Sequence, residues 1–246
     1  MASTLNHFKV KNGVEIPSTS SMDSTGGVSI APTLKLLFAD MGTVDPRISF
    51  TRGSIATYTG KDGLLKISPA GNARIDYDPI TKECKGLLME NWGMNIFTFS
   101  EDFSNGVWSK TRASIIQNVT IAPDGNQTAD KAVEDSSASQ SHIPFMRSYS
   151  CGSTLYSFSI YVKAAERSYF MLLATSGNGS AQYSADFNLV NGTSTTRATT
   201  MTGSSTITPA GNGWYRCSIT YDEPSSGTAN VSMLIAESPI SDFVNG

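Results

Sequence analysis

The chain has 246 residues, with 18 lysines and arginines against 21 aspartates and glutamates, a net charge of −3. That balance leaves no basic surplus to neutralise phosphates and argues against a nucleic-acid partner. No apolar run approaches the roughly 20 residues of a membrane-spanning helix, so no membrane insertion is expected. Charged residues are only 16%, glycine fills 21 positions, and serine and threonine are abundant, a composition that favours a turn-rich β protein of one large domain or two smaller ones. The polar start MASTLNHFKVKNG lacks the apolar core of a signal peptide, which predicts folding in a cytoplasm.

Residues 1–33 read as an extended arm and linker. Phe8 and Val10, then Val14 and Ile16, alternate around Asn12-Gly13, a hairpin signal. A lone hairpin is marginal in water. The segment is either a floppy terminus or an arm that orders on an assembly partner. The stretch PSTSSMDSTGGVSIAP that follows has the composition of a Ser/Thr/Gly linker.

Residues 34–95 read as a small β-rich collar. Short apolar runs lie between closely spaced turns at Asp45-Pro46, Lys61-Asp62-Gly63 and Asp78-Pro79. Strands are predicted within Arg47–Tyr58, where Gly53 suggests a bulge, and at Leu64–Ile67, Arg74–Tyr77 and Gly86–Glu90. No segment here keeps a helical period.

Residues 96–246 carry short strand-like runs at roughly 8–12-residue spacing, the pattern of an antiparallel sandwich. Strands are predicted at Ile96–Ser100, Ile115–Ile121, Ala129–Glu134, His142–Arg147, Leu155–Lys163, Tyr169–Ala174, Ala181–Asn188, Ser205–Thr208, Gly213–Tyr221 and Ala229–Ala236. Tyr156, Phe158, Ile160 and Val162 put four apolar groups on one strand face. The one predicted helical turn is Ser100–Val107, with Ser100 as its cap.

No catalytic constellation is legible, and no metal or cofactor is implied. Cys84, Cys151 and Cys217 are odd in number and widely separated, unlike a disulfide framework or a metal set, and read as small packed side chains. The histidines are His7 and His142; a Ser–His–Asp triad would need His142, and no Gly-x-Ser-x-Gly elbow precedes a helix. The carboxylate pairs Asp76/Asp78 and Glu101/Asp102 suit turns and a first helical turn better than glycoside hydrolysis. The loop Asp124–Asp130 lacks the dense Asp spacing of a calcium loop. Trp108 and Trp214 read as core residues at strand entrances, while Tyr169, Tyr183 and Trp214 are the candidates for stacking on a ligand such as a sugar. Arg47, Arg52 and Arg74 lie within alternating segments. Either they are surface charges whose stems cover apolar area, or they pair with Asp76, Asp78, Asp40 or Asp45 between strands or between subunits.

Several motifs occur together: LLFADMGTVDPRISFTRGSIATYTGKDGLLK, ARIDYDPITKECKGLLME, NIFTFSEDFSNGVWSK, TADKAVED, YSFSIYVKAAERSYF, AQYSADFNLVNG and ITPAGNGWYRCSITY. From about residue 36 onward these resemble a family of bacteriophage and prophage virion proteins. That family's blocks take the form DPRxxFTRxSxATYxDxxGxL, RxDYDPxTxxxxGLLxE and NLxxxSExFxxxxW. Gly53 and Met94 depart from it, standing where Ala and a polar residue are usual. The arm TLNHFKVKNGVEIPSTSS resembles the opening of fibre-type proteins of marine tailed phages. The resemblance implies an all-β chain: an N-terminal arm, a collar, and a jelly-roll-like sandwich similar to carbohydrate-binding modules. It implies a non-enzymatic fibre or fibre-adaptor subunit of a virion assembled in the host cytoplasm. Such a subunit is expected to be a trimer that docks to other virion proteins through residues 1–33. A receptor-adhesion module for host-surface glycans, a head or neck spike, and a depolymerase tailspike are the competing readings. Where the family often continues into a strand of the type YIWGAQLE, this chain reads SPISDFVNG. The expectation is that the last sandwich edge is open and covered by a partner.

Overall fold

The computed structural model describes residues 19–22 and 28–31 by their backbone, and residues 49–90, 93–137, 141–197 and 199–236 in full. Among these residues no helix occurs, and the chain is all-β. Strands β1 (Thr19–Met22) and β2 (Val28–Ala31) form an antiparallel hairpin. This corrects the reading of that stretch as linker. The hairpin predicted around Asn12-Gly13 lies outside the described residues.

Four short strands follow: β3 (Ala56–Thr59), β4 (Leu65–Ser68), β5 (Ile75–Tyr77) and β6 (Cys84–Leu87). They pair as two hairpins, β3 with β4 and β5 with β6. The turn of the first is closed by Gly63 N–H on the Gly60 carbonyl, with Gly63 at φ +77°. Gly53 lies outside any strand, so the bulge expected there is not formed.

The rest of the chain supplies β7 (Ser109–Thr111), β8 (Ala113–Thr120), β9 (Ala129–Glu134), β10 (His142–Cys151), β11 (Leu155–Lys163) and β12 (Tyr169–Thr175). It continues with β13 (Gln182–Asn188), β14 (Thr193–Thr196), β15 (Gly203–Pro209), β16 (Trp214–Asp222) and β17 (Gly227–Ala236). A six-stranded sheet has the order β14-β13-β12-β17-β10-β7, and a three-stranded sheet the order β11-β16-β15. Strands β8 and β9 stand apart as a hairpin. Residues Ile96–Ser100 form no strand, and Ser100–Val107 is a run of turns rather than a helical turn. Asp102 organises those turns by accepting the Ser104 hydroxyl at 2.6 Å. A side chain that satisfies local donors in a turn competes with the helix that a cap would have started.

The two sheets are one ribbon folded over. Strand β10 pairs with β17 from His142–Ile235 to Cys151–Gly227, and the ribbon continues as β11 with β16 from Leu155–Asp222 to Lys163–Trp214. Pro144, which has no N–H to give a ladder, sits within the register shift between His142 and Phe145. Alternate residues point inward: Phe170, Leu172 and Ala174 on β12, Tyr183, Ala185 and Phe187 on β13, Cys217, Ile219 and Tyr221 on β16, and Ala229, Val231 and Met233 on β17. Tyr156, Phe158, Ile160 and Val162 meet them from β11. The strand nearest the C-terminus, β17, lies in the middle of its sheet with both edges paired. Among the described residues the free edges of the two sheets belong to β14 and β7 and to β11 and β15. Trp108 closes one side of the core amid Phe97, Phe103 and Phe145, with Arg147 over the Phe97 and Trp108 rings.

The ribbon corner is polar and buried. Glu223 is 2% exposed, and its Oε1 accepts N–H bonds from Gly177 at 3.1 Å and Ser225 at 3.2 Å and the Ser225 hydroxyl at 3.3 Å. Gly177 and Gly227 touch across the corner: a Cβ on Gly227 would lie 2.3 Å from the Gly177 carbonyl oxygen. Just inside, the Tyr149 and Tyr221 hydroxyls share a 2.6 Å hydrogen bond.

Two predictions follow from this corner. Glu223→Ala strands buried donors and should cost about 2–3 kcal/mol of stability, read as a lower urea midpoint, while Glu223→Gln keeps the acceptor and costs less. Burial, joined by the hydrogen bond between them, raises Tyr221 above the usual tyrosine range, and burial pushes Tyr149 up to about 12. Both folded values exceed the unfolded value of about 10, so this stabilisation is complete below pH 10 and is lost as pH rises from about 10 towards 12. Urea midpoints should fall across that window, with a shallower slope in a Tyr149→Phe, Tyr221→Phe double variant.

Candidate functional site

A groove of about 790 Å³ opens where the three-stranded sheet stops short of the six-stranded one. Its floor is the inner face of the larger sheet, with Phe145, Phe170, Met233 and Ile235. One wall is the end of β11, with Ile160 and Val162; the other is the whole of β9. Leu65 and Ile67 of β4 flank its mouth. β9 and β11 each pair on one side only among the described residues.

Hydrogen bonds hold the walls apart. The Trp214 indole donates to the Ile121 carbonyl at 3.0 Å, tying the β8–β9 loop to the start of β16. The Leu65 amide donates to the Pro123 carbonyl at 3.0 Å, tying β4 to the same loop. Asp130 accepts the amides of Phe103 and Asn118, one on each oxygen, fixing β9 against the turns before β7. At the other end two ion pairs join β9 to the turn after β11: Lys131 with Glu166 at 2.6 Å, and Glu134 with Arg167. The Lys131 ammonium and a backbone amide hold the Glu166 carboxyl below its usual range.

Of the three aromatic candidates, two meet in this groove. Tyr169 and Trp214 line it, and Trp214 is also part of the buried core. Tyr183 is 1% exposed, its hydroxyl meeting that of the exposed Thr196 at 2.9 Å, so its ring belongs to the core and is not free to stack on a ligand. Arg47, Asp40 and Asp45 lie outside the described residues. Arg52 donates to the backbone carbonyls of Ser68 at 3.3 Å, Asn72 at 3.1 Å and Pro69. Arg74 is 4% exposed, and its Nη1 donates to the Thr57 carbonyl at 2.7 Å and to Glu90 at 2.6 Å. Neither arginine bonds to Asp76 or Asp78. Asp76 accepts the Thr59 amide at 2.8 Å and so links the two collar hairpins. Asp78 accepts the Ile80 and Thr81 amides and pairs with Lys85 at 3.1 Å, which hold its carboxyl at about 2.

The collar carboxylates of Asp76 and Glu90 lie near Tyr161 of β11. Burial raises the Tyr161 phenol, Arg216 opposes this, and the nearby carboxylates of Asp76 and Glu90 add to it. His142, which has no close carboxylate neighbour in sequence, meets Asp135 at 3.2 Å across the β9–β10 connection. Asp124 caps its own turn through Asn126 rather than gathering further acids. Among the described residues no three His, Cys, Asp or Glu side chains gather as a metal site. The cysteines are free, Cys151 and Cys217 buried and Cys84 half-buried.

Sequence reasoning missed the clasp of Lys131, Glu134, Glu166 and Arg167, because 33 to 35 residues separate the partners and neither segment carries a motif. It also missed the groove, since Ile160 and Val162 have the alternation of any core strand. No protein-family model matches the chain, and no curated protein matches its sequence.

The arginines differ in what their loss should do. Arg74→Ala removes a buried cation that joins β3 to Glu90 and should cost about 2 kcal/mol of stability even in an isolated subunit. Arg52→Ala removes bonds at a more open site and should cost less. Thermal denaturation at matched concentration ranks the two.

Proposed function

We propose that the chain is a non-enzymatic structural subunit of a bacteriophage particle, a tail-associated fibre or fibre-adaptor protein that assembles as a trimer. In this reading residues 1–33 dock to other virion proteins and the sandwich projects outward. The observation that carries it is where exposed large apolar side chains fall. Ile55, Ile67, Ile80, Met89, Met94, Ile96 and Phe99 are exposed in or just after the collar, against Val107, Ile116, Val119, Ile121, Leu155 and Val190 over the much longer remainder of the chain. A higher density of exposed apolar side chains in the collar than in the sandwich supports a covering partner there. The motif resemblance, densest across residues 36–95, supplies the class of assembly. The position on the particle, tail as against head or neck, rests on the resemblance of the arm alone.

The alternative is a module that binds host-surface glycans, and Tyr169 in the groove wall favours it. Glycan-array binding by the purified chain, abolished by Tyr169→Ala, would replace the structural reading. For the structural reading, the expected result is a stable trimer by light scattering. Ile80→Ser with Met89→Ser should weaken it at least tenfold in concentration while the monomer keeps its melting temperature, since both side chains are exposed. A chain that stays monomeric at every concentration would sink the proposal, as would cleavage of host capsule by the purified protein.

A further inference from the structure

The groove walled by β9 and β11 is apolar and open to solvent, with Ile67 and Val119 of its lining 66% and 45% exposed. Most of its polar side chains are already engaged within the chain. Asp130 holds two amides, Asp124 holds Asn126, and the Trp214 indole serves the Ile121 carbonyl. Lys131 and Glu134 are paired with Glu166 and Arg167. Such a lining leaves few donors or acceptors for a sugar. Lys163 differs. It lines the groove at the end of β11, opposite Trp214, and has no carboxylate partner among the described residues. Its stem packs on the turn before β16: Cε lies 3.3 Å from where a Cβ on Gly213 would stand. The groove therefore combines an apolar bed with one unspent cation at its rim.

We propose that the groove binds a single-chain amphiphile with an anionic head, of the fatty-acid class, its carboxylate on the Lys163 ammonium and its chain on the apolar bed. A methylene chain asks for no hydrogen bonds, which suits a lining whose polar groups are spent, and a carboxylate asks for one cation. Phe145, Phe170, Met233 and Ile235 form the bed, with Ile160 and Val162 beside it. The volume of about 790 Å³ falls within the ~300–1,000 Å³ of small-ligand sites. β9, which forms one wall over its full length, has 6 residues. At ~3.3 Å per residue that wall runs about 17 Å. A C–C bond of ~1.5 Å advances an extended chain about 1.25 Å, so about fourteen carbons span it. Glu101, the one lining carboxylate without a partner among the described residues, is exposed in the turns before β7, and an alkylammonium held there is the competing occupant. The inference stands apart from the virion reading, because it uses only the lining of the groove and its unspent cation.

The test is calorimetric titration of the full chain with decanoate, dodecanoate, tetradecanoate and octadecanoate below their micelle concentrations, and with tetradecanol and tetradecylammonium. Affinity should rise about fifteenfold for each pair of added methylenes and stop rising beyond tetradecanoate, where the wall ends. Lys163→Gln should weaken tetradecanoate about fivefold and leave tetradecanol unchanged. Val119→Glu, at an exposed position of the lining, should weaken both at least tenfold while the melting temperature stays that of the parent chain. Absence of binding by every probe overturns the proposal, as does affinity that ignores chain length. Tetradecanol or tetradecylammonium binding as tightly as tetradecanoate also overturns it, as does tetradecanoate affinity unmoved by Lys163→Gln. Binding that appears only on dilution to monomer means that a second copy fills the groove, and the proposal is then wrong. Light scattering on the same samples reads the oligomer separately, so a chain that binds the acid but never forms a trimer counts against the virion reading alone.

Discussion

The corner of the folded ribbon constrains everything around it. Strands β10 and β17 can hand over to β11 and β16 only if the backbones at 177 and 227 come into contact, and a side chain at either place would collide with the other. Closing the corner buries amides that neither ladder can serve. Glu223 serves them, and its burial is tolerable because its Oε1 takes three donors. Once the corner is set, the two sheets face each other, and the alternation on each strand turns its apolar residues into one shared core. The Tyr149–Tyr221 bond and the tyrosine rings stacked beside it lie just inside, where the sheets are closest to the fold.

That geometry also creates the groove. A ribbon folded in two gives each sheet one pair of strands, and the additional strands are shared unequally. The larger sheet receives β7, β12, β13 and β14; the smaller receives only β15. Apolar side chains on the floor of the larger sheet are then left without a strand opposite. The β8–β9 hairpin covers part of this space, held by the Trp214 indole at one end and by the ion pairs of β9 at the other. The collar closes a further side through Leu65. The groove is thus the remainder of the sandwich, which explains why its walls are built from ordinary core residues.

The collar is stabilised by different means. Its four described strands are too short to bury a core, and among the described residues Ile75 is its one buried large apolar side chain. Arginines and aspartates take over: Arg74 and Asp76 each bridge the two hairpins, Arg52 gathers carbonyls of one turn, and Asp78 caps another. Charges embedded in strand-like sequence are here the internal fastening of a small unit. The apolar residues of the same segment are the ones left facing outward.

The alternation of β11, of β16 and of β9 was legible in the chain, as were the turn residues between strands, because a period of two and a left-handed turn are local properties. All-β character followed from them. The roles of Tyr169, Tyr183 and Trp214 were not, since the same alternation describes a tyrosine sealed between sheets and one at a groove wall. Only the pairing of sheets separates Tyr183 from Tyr169. Nor could spacing reveal that Arg74 would reach Glu90, that Lys131 would meet Glu166, or that β17 would sit in mid-sheet. Those contacts join residues 16 or more positions apart, and they exist only once the strands between them have paired and packed. The residues by themselves determined which segments extend and which face of each is apolar; the tertiary fold decided which apolar faces meet and which remain uncovered.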